Sequence, residues 1–142
     1  MMTVRLVTEE DMPMLQKWAC RRGCSLESSW LSPHGVLALL DDVPLMCAWA
    51  AMIFQTPFAE IDHVYASPRT TKKTGLEAWS AILKWFRSWA KFVNEQGGQQ
   101  IAAFKIAMNA DMALYAKKTG GAVGNMVKLS CIYSMEDDTH GS

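Results

Sequence analysis

The chain has 142 residues, half of them apolar, and its 14 lysines and arginines balance 14 aspartates and glutamates. That length fits one domain over 1–142, and the apolar share supplies a core and excludes intrinsic disorder. A neutral chain lacks the overall electrostatic footprint of a nucleic-acid binder, and no run of about 18 uncharged apolar residues is present to span a membrane.

The opening Met1-Met2-Thr3-Val4-Arg5 lacks the basic-then-apolar build of a signal peptide, so a cytoplasmic location is expected. Thr3 to Val7 alternates and reads as a first strand. Thr8 can cap the following helix, with Asp11 completing a capping box, and Pro13 falls within its first turn. Met14, Leu15, Trp18 and Ala19 recur at helical spacing, and Gly23 ends the helix. Ser25 to Pro33 reads as a loop or a short second helix.

Gly35 to Leu40 is a short apolar strand, and Asp41 to Pro44 is a turn by composition. Leu45 to Phe54 is nearly uniformly apolar, as expected of a strand covered on both faces. Gln55-Thr56-Pro57 breaks it, and Glu60 to Ala66 forms a third strand, completing an antiparallel meander. Thr74-Gly75-Leu76-Glu77 is a second capping-box pattern. It predicts a long helix from about Gly75 to Val93, with Leu76, Trp79, Leu83, Phe86, Ala90 and Val93 on one stripe that Ile82 and Trp89 widen. Gly97-Gly98 stops it. Ile101 to Ala107 is a strand, Asn109 caps a short helix over Ala110 to Lys118, and Gly120 suits its end. Met126 to Met135 is the last strand, and 136–142 is a polar, frayed tail.

Cys20, Cys24, Cys47 and Cys131 read as small buried hydrophobes in a reducing compartment, with Cys20 and Cys24 on one helix face. No neighbouring histidine or cysteine completes a metal site, so no metal is expected. Six tryptophans exceed what a domain this small can bury, so some should border a cleft or a partner surface.

This order of elements resembles, over essentially the whole chain, the GNAT superfamily of N-acetyltransferases, which implies an α+β fold with a mixed, mostly antiparallel sheet flanked by helices. Three patterns carry the resemblance. Thr3 to Asp11 is similar to the first strand and Thr-x-x-Asp helix start of many members. Glu60-Ile61-Asp62-His63-Val64-Tyr65-Ala66-Ser67-Pro68 looks like the fourth strand and the proline after it. In the family the next segment reads Arg/Gln-x-x-Gly-x-Gly/Ala, and with the helix N-terminus it holds the pyrophosphate of acetyl-CoA, as unpaired amides and the macrodipole would. Aligned on Gly75, Lys72 takes the Arg/Gln position, and Glu77 departs from the second glycine by placing a negative charge where phosphate should approach. Thr74 and Glu77 acting only as a helix cap is the alternative. Asn109 to Gly121 resembles the Asn-to-Leu-Tyr-x-Lys-x-Gly-Phe segment, one residue shorter and with Gly121 in the phenylalanine position.

The resemblance implies acetyl-CoA bound through Val64, Lys72, Lys73, Thr74, Gly75, Leu76 and Asn109. It makes Tyr115 the candidate acid for the leaving thiolate, against a half-buried structural tyrosine. An amine acceptor, small molecule or protein, must also lose a proton before it attacks a thioester. Glu60 and Asp62 share one strand face and are the candidate bases, with His63 on the other face; a solvated acidic edge is the alternative. A second reading is a non-catalytic protein of this fold, as some phage proteins are. It would act in head assembly or in the virion, with exposed tryptophans contacting a second copy or a virion protein. Nucleic-acid binding through Arg69, Lys72, Lys73, Lys84 and Arg87 is the third and weakest, because the net charge is zero.

Overall fold

The computed structural model describes residues 1–27, 31–97, 100–108, 116–125 and 129–135. Its strands are β1 (Met2–Leu6), β2 (Gly35–Leu40), β3 (Val43–Met52), β4 (Phe58–Ala66), β5 (Ala103–Met108), β6 (Ala122–Asn125) and β7 (Leu129–Ser134). Helix α1 (Met12–Arg21) follows β1, and α2 (Lys72–Glu95) joins β4 to β5. The strand order is β1-β2-β3-β4-β5-β7-β6. Pairing is antiparallel at β1–β2, β2–β3, β5–β7 and β6–β7, and parallel at β4–β5. This is the mixed, mostly antiparallel sheet expected of the chain. The expected tail, Trp30, Asn109 and Tyr115 lie outside the described residues.

One strand was not legible. Ala122–Asn125 pairs antiparallel with Leu129–Ser134, so the described part of the expected strand 126–135 has a partner strand that was not expected. A Gly-rich approach hides β6 from propensity; its strand state comes from the ladder with β7.

Two compact units make up the chain, Met1–Ala50 with His63–Trp85 and Ala51–Asp62 with Phe86–Ser142. In the first, Leu15, Trp18 and Ala19 of α1 pack with Leu37, Leu39, Cys47, Trp49 and Tyr65. A short 3-10 turn at Glu9–Asp11 leads into α1. The Thr8 amide donates to Asp11 Oδ2 at 2.8 Å, and both terminal nitrogens of Arg5 reach the same carboxylate at 2.8 and 2.9 Å. Hydrogen bonding from Arg5, then Thr8, holds Asp11 down at about 2. Gly23 ends the helix at φ 71°, with its own amide on the Cys20 carbonyl and that of Cys24 on Ala19. Cys24 is therefore past the helix and shares no helix face with Cys20, and both are exposed, against the expectation of burial. Cys47 is buried as expected, and burial pushes its thiol up to about 12.

Asp41 and Asp42, at φ 48° and 66°, form a two-residue β2–β3 turn of the left-handed kind that matches strand twist. Leu45 to Ala50 are buried without alternation, as a strand covered on both faces requires.

In the second unit, Phe86 packs on Phe104 with ring centroids 6.2 Å apart. Asn94 clamps the return to β5: its Nδ2 donates to the Ile101 carbonyl at 2.9 Å, and its Oδ1 accepts from the Ile101 amide at 2.7 Å. Arg87 Nε donates to the Ser134 carbonyl at 3.4 Å. A helical turn at 116–118 ends at Gly120, φ 88°, where the Gly121 amide closes on the Ala116 carbonyl at 2.8 Å.

The expected stripe of α2 is the buried one: Trp79, Ile82, Phe86 and Ala90 are fully buried, with Leu83 at 1% exposure. Each large side chain removed from water contributes about 1.5–3 kcal/mol. As expected, the tryptophans are not all fully buried: among the described residues Trp18, Trp49 and Trp79 are buried, and Trp85 and Trp89 are half-buried on α2.

Candidate functional site

Strand β4 follows the alternation read from sequence for its first half. Ala59 and Ile61 are fully buried, and Glu60 and Asp62 are exposed, so the two carboxylates do share one face. Glu60 stands beside Lys105, the last pair of the β4–β5 register, which starts at Phe58↔Ala103. At His63 the period breaks. Its backbone is left-handed at φ 51°, so simple alternation does not assign its face. His63 and Val64 are both half-buried, and Tyr65 is buried.

The His63 ring meets the Trp49 ring edge-on, with centroids 6.3 Å apart and an 88° interplanar angle. It lies tilted on Tyr65, also at 6.3 Å. Trp49 pairs with Gly35 in the β2–β3 register, and a β-carbon on Gly35 would overlap indole Nε1 and Cε2. The close packing of Trp49 thus depends on the missing side chain. His34, half-buried and held below its ordinary pKa by burial, accepts the Ala50 amide through its carbonyl at 3.1 Å.

Beyond β4 the chain is pinned to β3. The Leu45 carbonyl accepts the Ser67 amide at 2.8 Å and the Thr70 hydroxyl at 2.9 Å. Arg69 donates its amide to Ser67 Oγ at 3.2 Å. Helix α2 then starts at Lys72, three residues before the expected Gly75. The cap is made by Thr71 and Thr74. The Thr74 amide donates to Thr71 Oγ1 at 3.1 Å, and the Thr71 amide to Thr74 Oγ1 at 2.9 Å. The expected Thr74–Glu77 capping box is therefore corrected, since Thr74 is already the third helical residue. Gly75 is buried with its amide on the Thr71 carbonyl at 2.8 Å, and Leu76 follows it inside the helix. The first-turn amides still lacking an intrahelical acceptor are those of Lys72 and Lys73. Glu77 is exposed in the second turn and not at the helix start.

The electrostatics of this turn oppose helix stability. It carries no acidic residue, and its first two residues are lysines, both exposed, with Arg69 just upstream. Cations at a helix N-terminus face the positive end of the macrodipole, at a cost of roughly 0.3–1 kcal/mol each, and an anion there reverses the sign. Among the described residues no group of three or more histidine, cysteine or acidic side chains is placed to hold a metal. No helix there is long and apolar enough to cross a membrane.

Sequence reasoning missed the cap at Thr71, the left-handed His63 and the Gly35–Trp49 contact. Thr70-Thr71 ahead of Lys72-Lys73 was a usable signal for the first; nothing local marks the other two.

No protein-family model and no curated protein matches the chain. Solved structures do. The chain is similar to the ribosomal-protein-S18-alanine N-acetyltransferase from Escherichia coli, with a TM-score of 0.67 at 10% identity, covering 97% of each chain. It is similar to the PaiA N-acetyltransferase from Thermoplasma acidophilum in complex with coenzyme A, with a TM-score of 0.61 at 17% identity, covering 94% of this chain and 99% of that one. It is also similar to the N-acetylglutamate synthase from Neisseria gonorrhoeae complexed with coenzyme A and N-acetyl-glutamate, with a TM-score of 0.64 at 12% identity. That match covers 96% of this chain but 35% of the synthase, so the chain spans about a third of its length. Identities this low are a likeness of fold, and the fold is the GNAT fold.

Proposed function

We propose that this GNAT-fold chain is an acyl-CoA-dependent N-acyltransferase that moves an acetyl group from acetyl-CoA to an amine. The observation that carries the reading is the first turn of α2, whose Lys72 and Lys73 oppose helix stability and suit a bound anion. The solved structures of this fold in complex with coenzyme A support coenzyme A as that anion.

Arg69, Lys72 and Lys73 would neutralise the pyrophosphate, and the Lys72 and Lys73 amides would donate to it. This shifts the sequence-derived set of Lys72, Lys73, Thr74, Gly75 and Leu76 towards its first two members, with Thr74 acting through the cap. Val64, just past the irregularity of β4, would hold the pantetheine arm as an added strand would be held. Asn109 and Tyr115 lie outside the described residues; by the resemblance Asn109 would contact the cofactor and Tyr115 would be the acid that protonates the thiolate. The proton of the amine would be taken by a residue of β4, the strand on which the resemblance puts the candidates Glu60 and Asp62. The amine then attacks the thioester directly, without a covalent enzyme intermediate.

The acceptor is proposed only as an amine. One similar protein is named for an alanine of a ribosomal protein and another is complexed with N-acetyl-glutamate, so both chemistries belong in the screen. The test is calorimetric titration with acetyl-CoA and free coenzyme A, followed by thiol release across a panel of glutamate, polyamines and alanine-led peptides. Binding in the micromolar range with release by at least one amine is expected. Absence of both would remove the reading. The competing reading is a non-catalytic protein of this fold that contacts a second copy or a virion protein through tryptophans such as the half-buried Trp85 and Trp89.

A further inference from the structure

His63 is the residue on β4 whose geometry is most constrained. Its left-handed backbone, φ 51°, costs a non-glycine residue free energy and persists only where surroundings over-determine it. Those surroundings are visible. Trp49 stands edge-on to the imidazole and Tyr65 lies tilted against it. Cys47 Sγ approaches the His63 carbonyl at 3.8 Å. Trp49 is itself fixed by the space that Gly35 leaves. Glu60 and Asp62, by contrast, are solvent-exposed carboxylates on a regular stretch of strand. A proton acceptor must be held within reach of the proton it takes, and a fixed ring meets that need.

We propose that His63, rather than Glu60 or Asp62, takes the proton of the acceptor amine, and that Trp49 seated over Gly35 positions its ring. The proposal rests on the acyl-transfer reading. The imidazole takes one proton from the ammonium, and the neutral amine attacks the thioester carbon. The C–N bond forms as the C–S bond breaks. The second amine proton ends on the thiolate sulfur, giving amide, coenzyme A thiol and protonated His63.

The test uses the full chain, acetyl-CoA and the most active amine of the panel. His63→Asn keeps a residue that tolerates the left-handed region, and His63→Gly relieves it altogether. Both should bind coenzyme A within twofold of the unsubstituted chain and turn over about 100-fold more slowly or worse. Added imidazole should partly restore His63→Gly. Trp49→Leu should lower kcat while leaving the KM for acetyl-CoA unchanged, and Trp49→Phe should recover most of the loss. Turnover of either His63 variant within threefold of the unsubstituted chain would overturn the proposal and leave acyl transfer standing. A chain that neither binds coenzyme A nor releases thiol would overturn both.

Discussion

Thr71 and Thr74 cap each other at the start of α2, each hydroxyl accepting the other's backbone amide, at 2.9 and 3.1 Å. The exchange uses two threonines where a capping box uses a glutamate or glutamine at the third helical position. It also fixes which amides face outward. Thr71→Ala should cost about 1 kcal/mol of stability. It should also weaken coenzyme A binding, because the first turn loses its fixed direction. Chemical denaturation and calorimetry on the same variant check both halves.

The two lysines that follow should show effects of opposite sign. Replacing Lys72 and Lys73 by alanine removes two cations from the positive end of the helix and raises helix propensity. Without ligand, the double variant should melt at or above the temperature of the unsubstituted chain. Its affinity for coenzyme A should fall at least tenfold, with a flatter dependence on salt. A variant that is both less stable and equally tight would show that the lysines serve the fold alone.

Glu77 is exposed in the second turn, outside any cap. Glu77→Gln should therefore leave stability within about 0.5 kcal/mol, the usual range for a surface change. It should tighten coenzyme A binding by a few-fold by removing a like charge. A loss of stability near 1 kcal/mol would restore a capping role.

Asp11 sets an acid limit on the first unit. Its folded pKa is depressed to about 2 by the Arg5 hydrogen bonds and those from Thr8. A depressed carboxylate stabilises the folded chain above its unfolded pKa and loses that contribution as pH falls through the folded value. The window is thus from about pH 4 down to about 2. Asp11→Asn should flatten the stability profile across that window. At neutral pH the loss should be about 1 kcal/mol, since the pair has an exposed arginine side.

Gly35→Ala should be costly for its size. The new β-carbon meets the indole of Trp49, within a buried cluster that includes Leu37 and Cys47. A cost of about 1–3 kcal/mol is expected from overpacking. If Trp49 positions His63, turnover should drop more than stability accounts for, measured at a temperature where the variant is fully folded.

Much of this protein follows from its sequence alone. The order of the elements from β1 to β5, the uniform burial of β3, the buried stripe of α2 and the shared face of Glu60 and Asp62 all follow from patterns within one strand or one helix. The helix stop at Gly23 follows from the freedom of glycine at positive φ. The tertiary structure decided the rest. β6 is a strand because β7 offers it a ladder. Cys24 leaves the helix because Gly23 reverses the chain. The α2 start moved to Lys72 because two threonines satisfy each other's amides better than a cap beginning at Thr74. His63 is left-handed in the company of Trp49, Tyr65 and Cys47, and Trp49 can lie where it does because residue 35, fourteen positions away, has no side chain. Contacts between distant residues carry no local period, so only folding could place them.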